Sequence, residues 1–398
     1  MSTLSSKADG PGAAAIPAAP ASWSAVAAIG VGAFALVSSE FLPVGLLPQI
    51  GAEIGISAGQ TGLMVSTPGI VAAVAAPLAL AFAGKLDRRR VLCFLMALLA
   101  LSNLTVALAA GFPAMLGGRV LLGIAIGGFW TIGGSLGPRL RPGPQAGRAT
   151  ALIFSGISVG TIAGVPAGTL IGAELGWRMA FGAASAVALL VLAALSLLLP
   201  AIKAGAARGL RDVPAVLRLR KIRLGVAANV LIFVGHFAAY TYITPILQRN
   251  GGLPASVIGA ILFAYGAAGL FGNLVGGWAL GRSVRLTLVG AAALLGVAML
   301  TLLFHGEQAA LALPLVLAWG FGFGMLPLAI QSWMFSVAPG RLESVAAVFV
   351  CSAQAAVGCG ALLGGLLVDH FGLASALGTG AACALATALL IAAAGRDA

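Results

Sequence analysis

A charge at the centre of a membrane helix costs ~2.5–3.5 kcal/mol on insertion scales, so the few ionisable residues found in such helices are candidates for chemistry. Three stand out in this 398-residue sequence: Glu40 in SSEFLPVGLLPQI, Arg119 in GGRVLLGIAIGG and His236 in GHFAAYTYITP. A carboxyl withdrawn from water holds its proton more tightly, and a neighbouring guanidinium loosens that hold. If two conformations place Arg119 at different distances from Glu40, the carboxyl takes up a proton in one and releases it in the other. The competing reading is a static ion pair, or a carboxylate at headgroup level. His236 is either a titrating or cargo-binding group or a hydrogen-bonded packing residue.

Aromatic and amide side chains accompany these three. Trp130 follows Arg119 by eleven residues, which returns to within ~20° of the same helix face and sets an indole below the cation. Tyr240 lies one turn beyond His236, with Tyr242 nearby and Asn229 earlier in the same apolar run. Trp319, Phe323 and Gln331 offer a facing wall for a cargo, or simply pack; Asn229, Asn273 and Gln354 bind cargo or bridge helices. Enzyme chemistry finds no support. GISVG at 156–160 fits the nucleophile-elbow pattern with Ser158, but that motif needs a strand-to-helix turn and His and acid partners, whereas this one lies in an apolar helix. The sequence has no HExxH, no Walker A loop and no Cys/His metal spacing, so neither cofactor nor metal is expected. Cys93, Cys351, Cys359 and Cys383 all fall inside apolar runs and read as packing residues.

The elements that must position these groups are membrane helices. The chain is 60% hydrophobic and 8% charged, with a mean hydropathy of +1.08, whereas soluble domains run near ~25% charged. Its 57 glycines and 19 prolines suit helices that approach closely in lipid. Apolar runs long enough to cross a bilayer fall at 24–46, 60–83, 91–111, 114–136, 149–172, 177–199, 224–247, 255–280, 285–304, 309–333, 343–368 and 371–394, twelve in all. The fold class is an all-α membrane protein whose twelve transmembrane helices form two pseudo-symmetric six-helix bundles.

Lys and Arg set the orientation. The loops after the even-numbered spans up to the tenth hold seventeen of them; the opposite loops hold only Arg178 and Arg249. Both termini are therefore expected on the cytoplasmic side, and the net charge of +12 reads as a topology signal, with no nucleic-acid partner. Residues 1–22 lack the apolar core of a signal peptide and read as a disordered cytoplasmic tail. The bundles are expected at 23–200 and 223–398, joined by a basic linker at 201–222. Its part from Asp212 to Lys221 is either a short amphipathic helix on the anionic leaflet or a solvated connection. The halves repeat weakly at an offset of 196: Gly164, Gly168 and Gly176 fall on Gly360, Gly364 and Gly372, and Glu40 falls on His236. At 1.5 Å per residue Glu40 lies ~9 Å and Arg119 ~8 Å below the outer surface, so the depths match.

Twelve spans in a six-plus-six repeat with a long basic central loop resemble the major facilitator superfamily. GKLDRRRVL after span 2 resembles its signature between helices 2 and 3: Asp87 and Arg88 carry over, while Arg89, Arg90 and Val91 replace the later positions. The Arg119 stretch resembles a motif of an intramembrane Arg before a Gly-rich face. GISVGTIAGVPAG resembles the Gly/Pro motif of the antiporters, with one residue inserted before Pro166. SSEFLPVGLLPQI, GFWTIGGSLGPRL and GHFAAYTYITP are similar to the drug:proton antiporter branch that includes arabinose-efflux-like and purine-nucleoside-efflux-like permeases. The resemblance implies a monomeric carrier of the bacterial inner membrane that exports a small organic solute in exchange for protons, the alternative being a sugar or metabolite uptake symporter. It also implies a cavity bordered by helices 1 and 4, hence a Glu40–Arg119 pair. By the same resemblance Gly160, Gly164, Pro166 and Gly168 seal the cavity between the halves. Asp87 with Arg88 is read as a lock between the halves that releases on rocking, or as a topology anchor.

Overall fold

The structure is a computed structural model, and it describes residues 22–82, 86–142, 145–202, 213–251, 253–305, 308–338 and 341–394. Twelve helices among them are long and apolar enough to cross a membrane. They are span 1 (Trp23–Ile54), span 2 (Ala58–Ala79), span 3 (Arg88–Ala107), span 4 (Phe112–Ile132), span 5 (Arg148–Leu175) and span 6 (Trp177–Leu198) in the first bundle. The second holds span 7 (Arg220–Tyr240), span 8 (Val257–Leu280), span 9 (Val284–His305), span 10 (Ala310–Val337), span 11 (Ser344–Phe371) and span 12 (Leu373–Ala393). The expected tail lies outside the described residues except for Ser22, whose Oγ caps span 1 by accepting from Ala25 N at 3.2 Å. Of the linker, 203–212 lies outside them too. Its amphipathic part is a helix of five residues, Val213–Leu217, with Val216 buried in the core of the second bundle.

Glycine spacing is what joins span 5 to span 1. A Cβ on Gly164 would collide with Ser38 and one on Gly168 with Leu42; in the second bundle a Cβ on Gly360 would collide with Val234 and one on Gly364 with Ala238. All four positions in the first pair of contacts map onto the second at the 196-residue offset, so the repeat holds contact by contact. The glycine ladder thus seats span 5 on span 1 inside one bundle. What faces the second bundle is the backbone of Gly160–Gly164, a π-helical turn: a Cβ on Gly266 of span 8 would lie 2.7 Å from Ile162 Cα. Pro166 has no N–H for the carbonyl of Ile162, and the widened turn absorbs that defect.

The bundles meet where span 2 lies along span 11 and span 5 along span 8, two contacts that the repeat exchanges. Both run from the end that carries the 1–2 connection to mid-depth, where Gly69 and Gly358 abut. At the other end the first bundle keeps a core of its own, from Ala25 and Ile29 to Leu195 and Leu199, without a residue of the second. The molecule is closed at the end opposite the basic loops.

Candidate functional site

Arg119 is 0% exposed, and its place is set by prolines. In a helix, Pro43 leaves the carbonyl of Ser39 without its i+4 donor, and Pro68 does the same to Met64. The guanidinium supplies both: Nη1 donates to Ser39 O at 2.8 Å and Nε to Met64 O at 2.5 Å, while Nη2 reaches Glu40 O at 2.7 Å. Five fixed N–H donors on one planar group suit this task. One side chain of span 4 therefore pins spans 1 and 2. This corrects the expected ion pair: Arg119 binds the backbone of Glu40, and no salt bridge joins the two side chains among the described residues. Backbone acceptors won because prolines made them available at the guanidinium's height.

The Glu40 carboxyl is left for other work. The side chain is 4% exposed, and its Oε1 is buried without a hydrogen-bond partner among the described residues. Gln354 of span 11 faces it from the second bundle, within reach of the carboxyl and with its own Nε2 unpartnered. An acceptor and a donor thus confront each other across the boundary between the bundles. Phe41, the next residue, stacks on Phe237 of span 7 at 5.3 Å between centroids. Below them, between spans 2, 4 and 11, a narrow cleft is lined by Ala76, Trp130, Cys351 and Gln354. Trp130 is half-buried there, packed on Phe129 and Phe154.

His236 sits elsewhere. It is 1% exposed in the core of the second bundle, where Trp319 Nε1 donates to its Nδ1 at 3.0 Å and Tyr265 Oη lies 3.4 Å from Nε2. An indole N–H can only donate, so the imidazole carries its hydrogen on Nε2. Phe323 stacks on the ring at 3.5 Å and Tyr240 at 5.1 Å. His236 is the hub of an aromatic cluster, with a partner at each ring nitrogen. Tyr240, Trp319 and Phe323 belong to that hub, the first two buried and Phe323 half-buried. His236→Gln is expected to lower the melting temperature of the detergent-solubilised protein while proton-driven transport persists; abolished coupling in a folded variant would restore the titrating role.

Other candidates are placed as follows. Asn229 is fully buried and bonds Phe349 O at 3.1 Å and Ser352 Oγ at 2.8 Å, bridging spans 7 and 11. Gln331 is half-buried in span 10. Tyr242 is buried at the closed end, donating to Ala361 O at 3.1 Å. Asp87 caps span 3, accepting from Arg89 N at 2.9 Å and Ile202 N at 3.0 Å, while Arg88, mostly buried, donates its N–H to Ile202 O at 3.0 Å. Both contacts lie within the first bundle and its exit. Sequence reading missed Thr244, Ser57 and Asp369 at the closed end. The signal for Thr244 was Pro48, which frees the carbonyl of Val44; the hydroxyl donates to it at 2.8 Å.

Two repeated six-helix bundles, sealed at one end around a buried carboxyl at their boundary, define a multi-pass membrane carrier of small molecules. The Major Facilitator Superfamily profile matches residues 29–358, and the chain belongs to that superfamily of transporters. It is 32% identical over 371 residues, 93% of this chain and 94% of the relative, to the purine ribonucleoside efflux pump NepI of Salmonella paratyphi A, and equally to that of Salmonella typhimurium. Among solved structures it is similar to the nucleoside transporter NupG, with a TM-score of 0.77 at 14% identity over 93% of this chain and 98% of the other. A D-xylose-proton symporter gives 0.75 at 16% identity over 93% and 96%. At these identities both likenesses speak for the fold alone.

Proposed function

We propose that this transporter exports a small organic solute in exchange for protons, with both termini cytoplasmic in a bacterial inner membrane, and that it works as a monomer. The observation that carries the proton coupling is the Glu40 carboxyl, buried where the two bundles meet, with its Oε1 lacking a hydrogen-bond partner among the described residues. Rocking the bundles exposes the group to one side and then the other, so a proton is carried per stroke. The cleft beside Trp130 and Gln354 receives the cargo. Purine nucleosides are the first cargo to test, since the relatives at 32% identity are named as efflux pumps for purine ribonucleosides. Their flat bases suit stacking on the Trp130 indole at the cleft. In the opposite conformation Asp87 and Arg88 lock the cytoplasmic ends, and span 5 slides on span 8.

The test is flux in proteoliposomes under an imposed pH gradient, with labelled adenosine, inosine, pentoses and hydrophobic drugs. Exchange for protons accumulates the cargo in vesicles that are acid inside. Accumulation only in vesicles that are acid outside assigns uptake symport instead. Flux indifferent to the gradient in either direction overturns proton coupling.

A further inference from the structure

The closed end is held by bonds that neither the carboxyl nor the cleft uses. Span 2 begins with a capping box: Gln60 N donates to Ser57 Oγ at 3.0 Å, and Ser57 N donates back to Gln60 Oε1 at 3.0 Å. That leaves the N–H of Gly59 without an intrahelical partner. Asp369, at the last turn of span 11 in the other bundle, takes it: Oδ1 accepts from Gly59 N at 2.9 Å, and Oδ2 from Ser57 Oγ at 2.5 Å. An acid on the positive end of a helix is electrostatically well placed, and hydrogen bonds to an ionised acceptor are the stronger kind. Approach is close because residues 59 and 365 have no side chain; a Cβ on Gly59 would lie 2.5 Å from Gly365 O. Deeper in, Leu47 of span 1 packs against Tyr242 and Ile246 in a fully buried plug, beside the Thr244 to Val44 bond.

We propose that Asp369 is a positioning residue for the transport cycle. It clamps the outer ends of spans 2 and 11 together and must leave Ser57 and Gly59 before the outer side opens. The capping box makes this release reversible, because span 2 keeps its own cap when the carboxylate departs. The assignment of this end as the outer one rests on the proposed orientation; the clamp itself does not. Removing one charge-assisted contact of this kind shifts a two-state equilibrium by roughly fivefold to thirtyfold.

Two cysteines report the two ends. Ile246→Cys places a thiol in the plug under the clamp, and native Cys351 lines the cleft on the other side; Cys93, Cys359 and Cys383 are replaced. A membrane-impermeant maleimide is applied to either face of sealed vesicles, with the Asp369 parent, Asp369→Ala, Asp369→Asn and Asp369→Glu compared. Asp369→Ala is expected to speed labelling at Ile246→Cys at least fivefold and to slow it at Cys351. Asp369→Asn falls between, and Asp369→Glu restores the parent pattern. A loosened fold speeds both sites, and that result, or unchanged labelling at Ile246→Cys, overturns the proposal. The face from which Ile246→Cys reacts reports the orientation separately, and reciprocal labelling supports the clamp from whichever face it is read.

Discussion

Glu40→Gln is expected to reduce gradient-driven accumulation to the level of protein-free vesicles while cargo-for-cargo exchange without a gradient continues. The amide is close in size to the acid and keeps an acceptor, so packing against Gln354 and Phe41 survives. What it lacks is a proton to exchange. Glu40→Asp keeps the chemistry but retracts the carboxyl by one methylene from the bundle boundary, and is expected to couple weakly. In the wild type, accumulation is expected to depend on pH, and in Glu40→Gln the residual exchange is expected to be flat across pH 5–9. Gradient-driven transport at the wild-type rate in Glu40→Gln sinks the assignment.

The second large effect concerns Arg119. Arg119→Leu relieves the insertion cost of a charge, ~2.5–3.5 kcal/mol, but orphans the carbonyls of Ser39 and Met64 at ~1–3 kcal/mol each. It also loses the packing of a large buried side chain and the joint between three spans. Net destabilisation is expected in thermal unfolding in detergent, because the lost packing and the lost joint add to the orphaned carbonyls. The prolines make the claim specific. Pro43→Ala and Pro68→Ala restore backbone donors to those two carbonyls, so combining both with Arg119→Leu should recover much of the loss. A thermodynamic cycle then gives a coupling well outside additivity. Additive effects would mean that Arg119 acts by something other than satisfying freed carbonyls.

Much of the architecture was legible in the sequence because a bilayer leaves a chain few options: each apolar run must be a helix, and Lys and Arg mark its ends. The Gly164, Gly168, Gly360 and Gly364 correspondence at an offset of 196 anticipated the repeat, and it proved to be a correspondence of contacts. Span 1 was drawn too short, at 24–46 against Trp23–Ile54, a helix that holds Pro43 and Pro48 in its interior. The helix continues since Arg119 and Thr244 replace the lost donors. Depth and residue type brought Glu40 and Arg119 together correctly, but depth cannot say which atom of Glu40 is bound. His236 was legible as unusual and illegible as a hub, because its partners Tyr265 and Trp319 are 29 and 83 residues away. Asp369 was missed since its partners lie more than three hundred residues earlier, in the other bundle.

The Arg119 joint grips oxygens that every amino acid possesses. The side chains of Ser39 and Met64 can therefore be exchanged over evolutionary time without unfastening spans 1, 2 and 4, provided the prolines stay where they are. A carrier built this way can alter other walls while the frame that moves them is inherited unchanged, which suits a fold shared with a nucleoside transporter and a D-xylose-proton symporter.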